Sequence, residues 1–99
     1  MKEYNIILLS NAKSDLFEIV EYLSSFYKST AIKKYDKIIE SISKLKDFPY
    51  LGSEYKSVVS DFDYRKLVVD EYMVFYVVID TTIEIHNIIN SKMDIGSLV

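Results

Sequence analysis

Tyr64 to Met93 reads YRKLVVDEYMVFYVVIDTTIEIHNIINSKM. Two turn signals, Asp70-Glu71 and Asp80-Thr81-Thr82, divide this stretch into three runs of strand formers, at about 64–70, 72–79 and 83–90. The middle run is apolar at nearly every position, as expected of an interior strand covered on both faces. The same stretch holds the single arginine, Arg65, and the single histidine, His86. It is the one region where groups able to handle a phosphate alternate with residues that would pin them to a sheet.

Upstream, Tyr4 to Leu9 ends in four large apolar residues and reads as a short buried strand. Ser10 and Asn11 offer an N-cap, with Asp15 near the favourable end of the helix dipole. Leu16, Ile19, Val20, Leu23 and Phe26 then recur at helical spacing, which predicts an amphipathic helix. Ser29 and Thr30 offer a second cap. Ala31, Tyr35, Ile38, Ile42 and Leu45 follow as one stripe, with Lys33, Lys37 and Lys44 on another face. So few residues separate the two helices that they should form an antiparallel hairpin, ended by Pro49. Residues 50–63 lack periodicity and read as a connecting loop, with a little strand around Val58-Val59. The expected order is β-α-α-β-β-β: an α+β domain over residues 1–99, its helical hairpin packed on one face of a small, mainly antiparallel sheet. The other face is left partly open. Tyr22, Tyr35, Phe75 and Tyr76 fall at positions expected in the core.

Ninety-nine residues suit one domain, and 49% apolar residues can fill its core without staples. No cysteine is present, which is compatible with a reducing, cytoplasmic setting. No apolar run approaches the roughly 20 residues of a membrane helix, and Ile6-Ile7-Leu8-Leu9 is too short for a secretory signal. A net charge of −3 argues against broad nucleic-acid binding. The charge is uneven, since residues 28–46 carry six lysines against Asp36 and Glu40. A solvated helix face accounts for that run as well as a basic surface does. No zinc-ligand pair, glycine-rich phosphate loop or nucleophile elbow is present, so no metal or cofactor is expected.

Several segments, in order, resemble the RelE/ParE superfamily of toxins from type II toxin–antitoxin systems. They are Ala12-Lys13-Ser14-Asp15-Leu16, then Leu45…Phe48-Pro49…Gly52, then Tyr64-Arg65-Lys66-Leu67-Val68-Val69. Tyr72-Met73-Val74-Phe75-Tyr76 and the run from Ile85-His86-Asn87 to Met93-Asp94 complete the set. The resemblance implies a toxin held by an antitoxin in a hetero-oligomer. It also implies one of two targets: RelE-like members cut mRNA at the ribosome, whereas ParE-like members poison DNA gyrase by binding. A third possibility is a member that only binds its antitoxin.

Metal-independent RNA cleavage needs a base for the 2′-hydroxyl, positive charge around the phosphorane and an acid for the leaving oxygen. Arg65 matches the arginine that the family's nucleases keep, and its planar fork suits a phosphate. Pairing with Asp63 or Glu71 is its structural alternative. His86 titrates near neutrality and can serve as acid or base. It is expected on one face with Glu84, Ile88, Asn90 and Lys92, opposite Ile83, Ile85, Asn87 and Ile89. Lys92 would add a phosphate contact, and Glu54 would act as a loop base resembling that of some ribosome-dependent members. An RNA-cleaving toxin with Arg65, His86, Lys92 and Glu54 as its catalytic group is therefore the leading expectation. Departures count against it: Asn87, Asn90 and Met93 stand where many relatives carry arginine, His or Tyr, and arginine. The chain also ends soon after Asp94, without a downstream tyrosine. Tyr50, Tyr55 and Tyr64 are candidates to stack on a base or pack under the antitoxin.

Overall fold

A computed structural model describes residues 3–92 and Val99. Met93 and Asp94 lie outside the described residues. The order is β1 (Asn5–Leu8), α1 (Ser10–Ser24), α2 (Lys28–Ser43), a 3₁₀ turn (Lys44–Lys46), β2 (Ser53–Lys56), β3 (Asp63–Val69), β4 (Tyr72–Ile79) and β5 (Thr82–Asn90). The strands form one sheet in the order β1-β5-β4-β3-β2. Only β1 runs parallel to its neighbour, and the other pairs are antiparallel. The expected β-α-α-β-β-β order is present, with one addition. Ser53–Lys56, read as loop, is an edge strand against β3. Four residues ending before two exposed valines, Val58 and Val59, leave no period to detect.

Both hairpins turn on an aspartate. Asp70 and Asp80 each take φ of 54°, a left-handed conformation that aspartate tolerates better than most side chains. Each turn has two residues, so Val69 sits opposite Tyr72 and Ile79 opposite Thr82. Counting outward from these pairs fixes everything else. Arg65 falls opposite Tyr76, and Tyr76 opposite Ile85.

The helices cover one face. Leu16, Ile38, Ile42 and Leu45 pack with Leu67, Val69, Tyr72, Val74, Tyr76, Ile83, Ile85 and Ile88. The apolar stripe of α2 is thus buried as expected, apart from Tyr35. The α1 stripe is buried at its start only. Phe26 and Tyr22 stand exposed and meet edge to face at 5.2 Å. Tyr22 and Tyr35, expected in the core, are therefore surface residues. The expected caps are also absent: the N-cap positions are Leu9 and Tyr27, and neither makes a side-chain cap. None of the described helices is long and apolar enough to cross a membrane.

The opposite face is not open. Tyr64, Met73, Phe75, Val77 and Ile89 form a second apolar cluster with Val99, whose carbonyl accepts the Ser57 hydroxyl at 2.6 Å. Tyr55 packs edge-on to Phe75 at 4.9 Å. This double coverage explains why β4 is apolar throughout.

Alternation in β5 breaks at one place. Phe75 pairs with Asn87 but Tyr76 pairs with Ile85, so His86 is the extra residue of a bulge. Before it, Ile83 and Ile85 face the helices; after it, Ile88 does and Ile89 faces away. The expected grouping of His86 with Ile88, and of Ile85 with Ile89, fails for this reason.

The bulge also turns the Ile88 N–H outward, beyond the end of β1. Asp15 accepts it at 2.9 Å. Burial raises the Asp15 pKa, the Ile88 N–H offsets part of this, Glu18 adds to it and Asn87 offsets a further part. Across the sheet, Lys34 reaches Asp70 and Glu71, both at 3.0 Å, and Lys37 reaches Asp70 at 2.7 Å. Lys37 first, then Lys34, lowers the Asp70 pKa.

Ile38→Ala should destabilise by roughly 2–5 kcal/mol in chemical denaturation, because its side chain is fully enclosed. Asp15→Ala, which leaves the Ile88 N–H without its acceptor, should cost about 1–3 kcal/mol. Asp15→Asn keeps an acceptor without the charge. A carboxyl with a raised pKa binds more protons folded than unfolded just above the ordinary aspartate range, so its contribution to stability falls as pH rises there. The advantage of Asp15→Asn over the natural chain should therefore grow from acid to neutral pH. An advantage independent of pH would refute this account.

Candidate functional site

Arg65 leaves β3 on the helix-facing side, as its partner Tyr76 does, but past the end of the helical layer. There residues 49–52 form the roof. Tyr76 is fully buried, and its hydroxyl donates to the Pro49 carbonyl at 2.9 Å and accepts the Gly52 N–H at 2.9 Å. Gly52 is held so close that a Cβ there would lie 2.7 Å from the Lys66 carbonyl oxygen. Any larger residue would push this segment off the sheet.

The segment in turn holds the arginine. Nε donates to the Gly52 carbonyl at 2.9 Å, and one terminal nitrogen donates to the Tyr50 carbonyl at 3.2 Å. The guanidinium carbon lies 5.2 Å from the centre of the exposed Tyr50 ring, a cation–π arrangement. Glu54 is directly opposite in β2, with its carboxylate 4.0 Å from the other terminal nitrogen. That carboxylate is 91% exposed, so the pair is a weak one. Neither Asp63 nor Glu71 pairs with Arg65. An open groove of about 730 Å³ runs past this end of β3, lined by Tyr50, Glu54, Tyr55, Phe62, Tyr64 and Arg65 among others.

His86 lies on the other face. Its Nδ1 is 2.9 Å from the Tyr64 hydroxyl and its Nε2 is 3.1 Å from a Glu84 oxygen. An ionised carboxylate can only accept, so Nε2 carries a proton and, in the neutral ring, Nδ1 accepts from Tyr64. Burial raises the Tyr64 pKa, a hydrogen bond with Ser60 offsets part of that and Glu84 adds to it, which keeps the phenol a donor. Phe62 and Tyr64 meet the imidazole edge to face at 4.9 and 5.1 Å. Only 8% of the residue is exposed, and both ring nitrogens are engaged.

Of the four candidate residues, the fold brings together Arg65 and Glu54. Arg65 and His86 project from opposite faces, with β4 between their strands, and His86 does not line the groove. Lys92 is exposed in the turn after β5. Asn90 is level with Tyr72 and Arg65 with Tyr76, so at least four residues of strand rise, about 13 Å, separate Lys92 from the arginine. Tyr64, a candidate for stacking, is buried beside the histidine. Among the described residues, no group of three or more His, Asp or Glu side chains converges in a way that would hold a metal ion.

Sequence reasoning missed Tyr76, which organises the Arg65 loop, and Asp15, which caps the bulge. Tyr76 left a trace, since a phenol in an otherwise apolar interior strand needs a partner for its hydroxyl. Asp15 left none, because its partner is a backbone group exposed only by the bulge.

The fold and the family can now be compared with known proteins. The chain superimposes on the chromosomal ParDE toxin–antitoxin system from P. aeruginosa with a TM-score of 0.74 and 20% identity, covering 89% of this chain and 96% of that one. It superimposes on the YoeB dimer from Staphylococcus aureus with a TM-score of 0.53 and 22% identity, covering 86% and 93%. At such identities these likenesses speak for the architecture alone. No curated protein matches the sequence. The family model of the ParE toxin of the type II toxin–antitoxin system parDE, however, matches residues 6–95, nearly the whole chain and all of the fold but the first residue of β1. The chain therefore belongs to the ParE toxin family of type II toxin–antitoxin systems.

Proposed function

We propose that this toxin arrests growth by binding its target, with DNA gyrase as that target, rather than by cutting RNA. The observation that supports this reading is the separation of Arg65 from His86. Phosphodiester cleavage needs cationic and proton-transferring groups around one phosphorus atom. Here the arginine is occupied by the Tyr50 and Gly52 carbonyls on one face, and the histidine by Tyr64 and Glu84 on the other. Of the candidate residues only Glu54 stands beside the arginine, and a base without a positioned acid is a poor nuclease. Asn87 and Asn90, which stand where many relatives carry an arginine and a proton-transferring His or Tyr, agree with this. Family membership supports gyrase as the target, since ParE-like members act on it.

On this reading, Arg65 is an organiser of the groove wall, and its outer N–H edge remains available to a partner. Purified toxin should inhibit supercoiling by gyrase, and primer extension on cellular messages should show unchanged ends during growth arrest. His86→Gln, which keeps a hydrogen-bonding side chain, should still arrest growth, whereas losing a general acid–base would cost roughly 10²–10⁴-fold in rate. New message ends that disappear in both Arg65→Ala and His86→Gln would overturn the proposal and restore RNA cleavage.

A further inference from the structure

β2 closes the sheet on the side away from β1, and its outer edge has no partner strand among the described residues. The two-residue turn at Asp70-Glu71 decides which groups that edge presents. Val69 and Tyr72 close the hairpin, so their backbone groups face each other, as do those of Leu67 with Val74 and of Arg65 with Tyr76. The even-numbered residues Tyr64 and Lys66 therefore turn their backbone toward β2, where they meet Tyr55 and Ser53. The N–H and C=O groups of Glu54 and Lys56 are left pointing outward, and no backbone group among the described residues takes them up.

A bare edge is commonly guarded by charge, because a lysine that meets its own copy is repelled. Glu54-Tyr55-Lys56 leaves one arrangement unguarded. When two copies run antiparallel with their Tyr55 residues opposite each other, Glu54 of each copy lies across from Lys56 of the other. Sliding the register by two residues either way sets Glu54 against Glu54 or Lys56 against Lys56. Inside the chain, Glu54 is opposite Arg65 and Lys56 opposite Asp63, so the four side chains share one side of the sheet. Lys56 and Asp63 are exposed and make no ion pair among the described residues. Two joined edges would therefore carry the row Arg65, Glu54, Lys56, Asp63 across four strands, alternating in sign, and the same row reversed. Exposed apolar residues flank the edge, with Leu51 before it and Val58 and Val59 after it. The same register brings Leu51 of one copy level with Val59 of the other.

We propose that two copies of this chain associate through β2, forming a two-fold dimer with one continuous sheet of five strands from each copy. The surface is self-complementary, so every contact is made twice. Main-chain bonds between Glu54 and the second copy's Lys56 supply the pairing, and the alternating charges select its register. Such a short edge with a small apolar fringe belongs to the weak, reversible class of interfaces. The inference does not depend on how the toxin acts on its target, so the two fail separately.

The test is sedimentation of the purified toxin over a range of concentrations, where its mass should climb toward that of a dimer. Glu54→Lys and Lys56→Glu, both at exposed positions, should each weaken self-association by about tenfold or more. An equimolar mixture of the two variants should dimerise again, because an edge with two lysines then meets one with two glutamates. Added salt should weaken that mixed dimer. A monomer at every concentration up to about 1 mM, a dimer untouched by both substitutions, or no recovery in the mixture would overturn the assignment. So would Glu54 and Lys56 amides that gain protection from exchange only when the antitoxin is added, because the edge would then belong to that partner.

Discussion

The extra residue in β5 is the constraint on which the rest of this fold turns. Without the bulge at His86, strict alternation would send Ile88 away from the helices and Ile89 into them. One residue restores both cores: Ile88 joins the layer under α1, and Ile89 joins Met73 and Phe75 on the far side. A register slip normally inverts a whole strand. Here the inversion is confined to the end of one strand, and its backbone cost is met by Asp15, which takes the N–H that the shift exposes.

The two faces that result have different characters. On the helix side, the Tyr76 hydroxyl ties residues 49–52 to the sheet, and those residues fix the arginine. On the far side, aromatic rings enclose the histidine, while the Tyr64 hydroxyl and the Glu84 carboxylate satisfy its two nitrogens. Each polar group is built into its own face by local partners, which is how a structural residue behaves. A toxin that works by presenting a shaped surface needs such rigidity, and it does not need mobile proton carriers.

Much of this was legible in the residues. The α2 stripe, the three long strands and both aspartate turns follow from period and turn chemistry. The separation of Arg65 from His86 was legible too, by counting outward from Asp70-Glu71 and Asp80-Thr81: Arg65, Tyr76 and Ile85 fall in line, and His86 is one residue out of phase. Attending to residue type rather than to register hides this. The bulge itself was not legible, because HNIIN carries no glycine or proline to mark it. Nor was the exposure of Phe26 and Tyr35, which fall on the apolar stripes of their helices and yet lie uncovered, or that of Tyr22. The short β2 depends on pairing with β3 rather than on any pattern of its own.

Lys34 and Lys37 grip the Asp70 turn at one end of the helical layer, while Leu45 lies enclosed at the other. Between these anchors the length of α2 is not free. Adding a single residue after Lys37 would rotate the two lysines by about 100° relative to Ile42 and Leu45. Either the ion pairs or the apolar stripe would then miss its mark. Chains built on this plan can lengthen their loops, but this helix can change in length only by steps close to a whole turn.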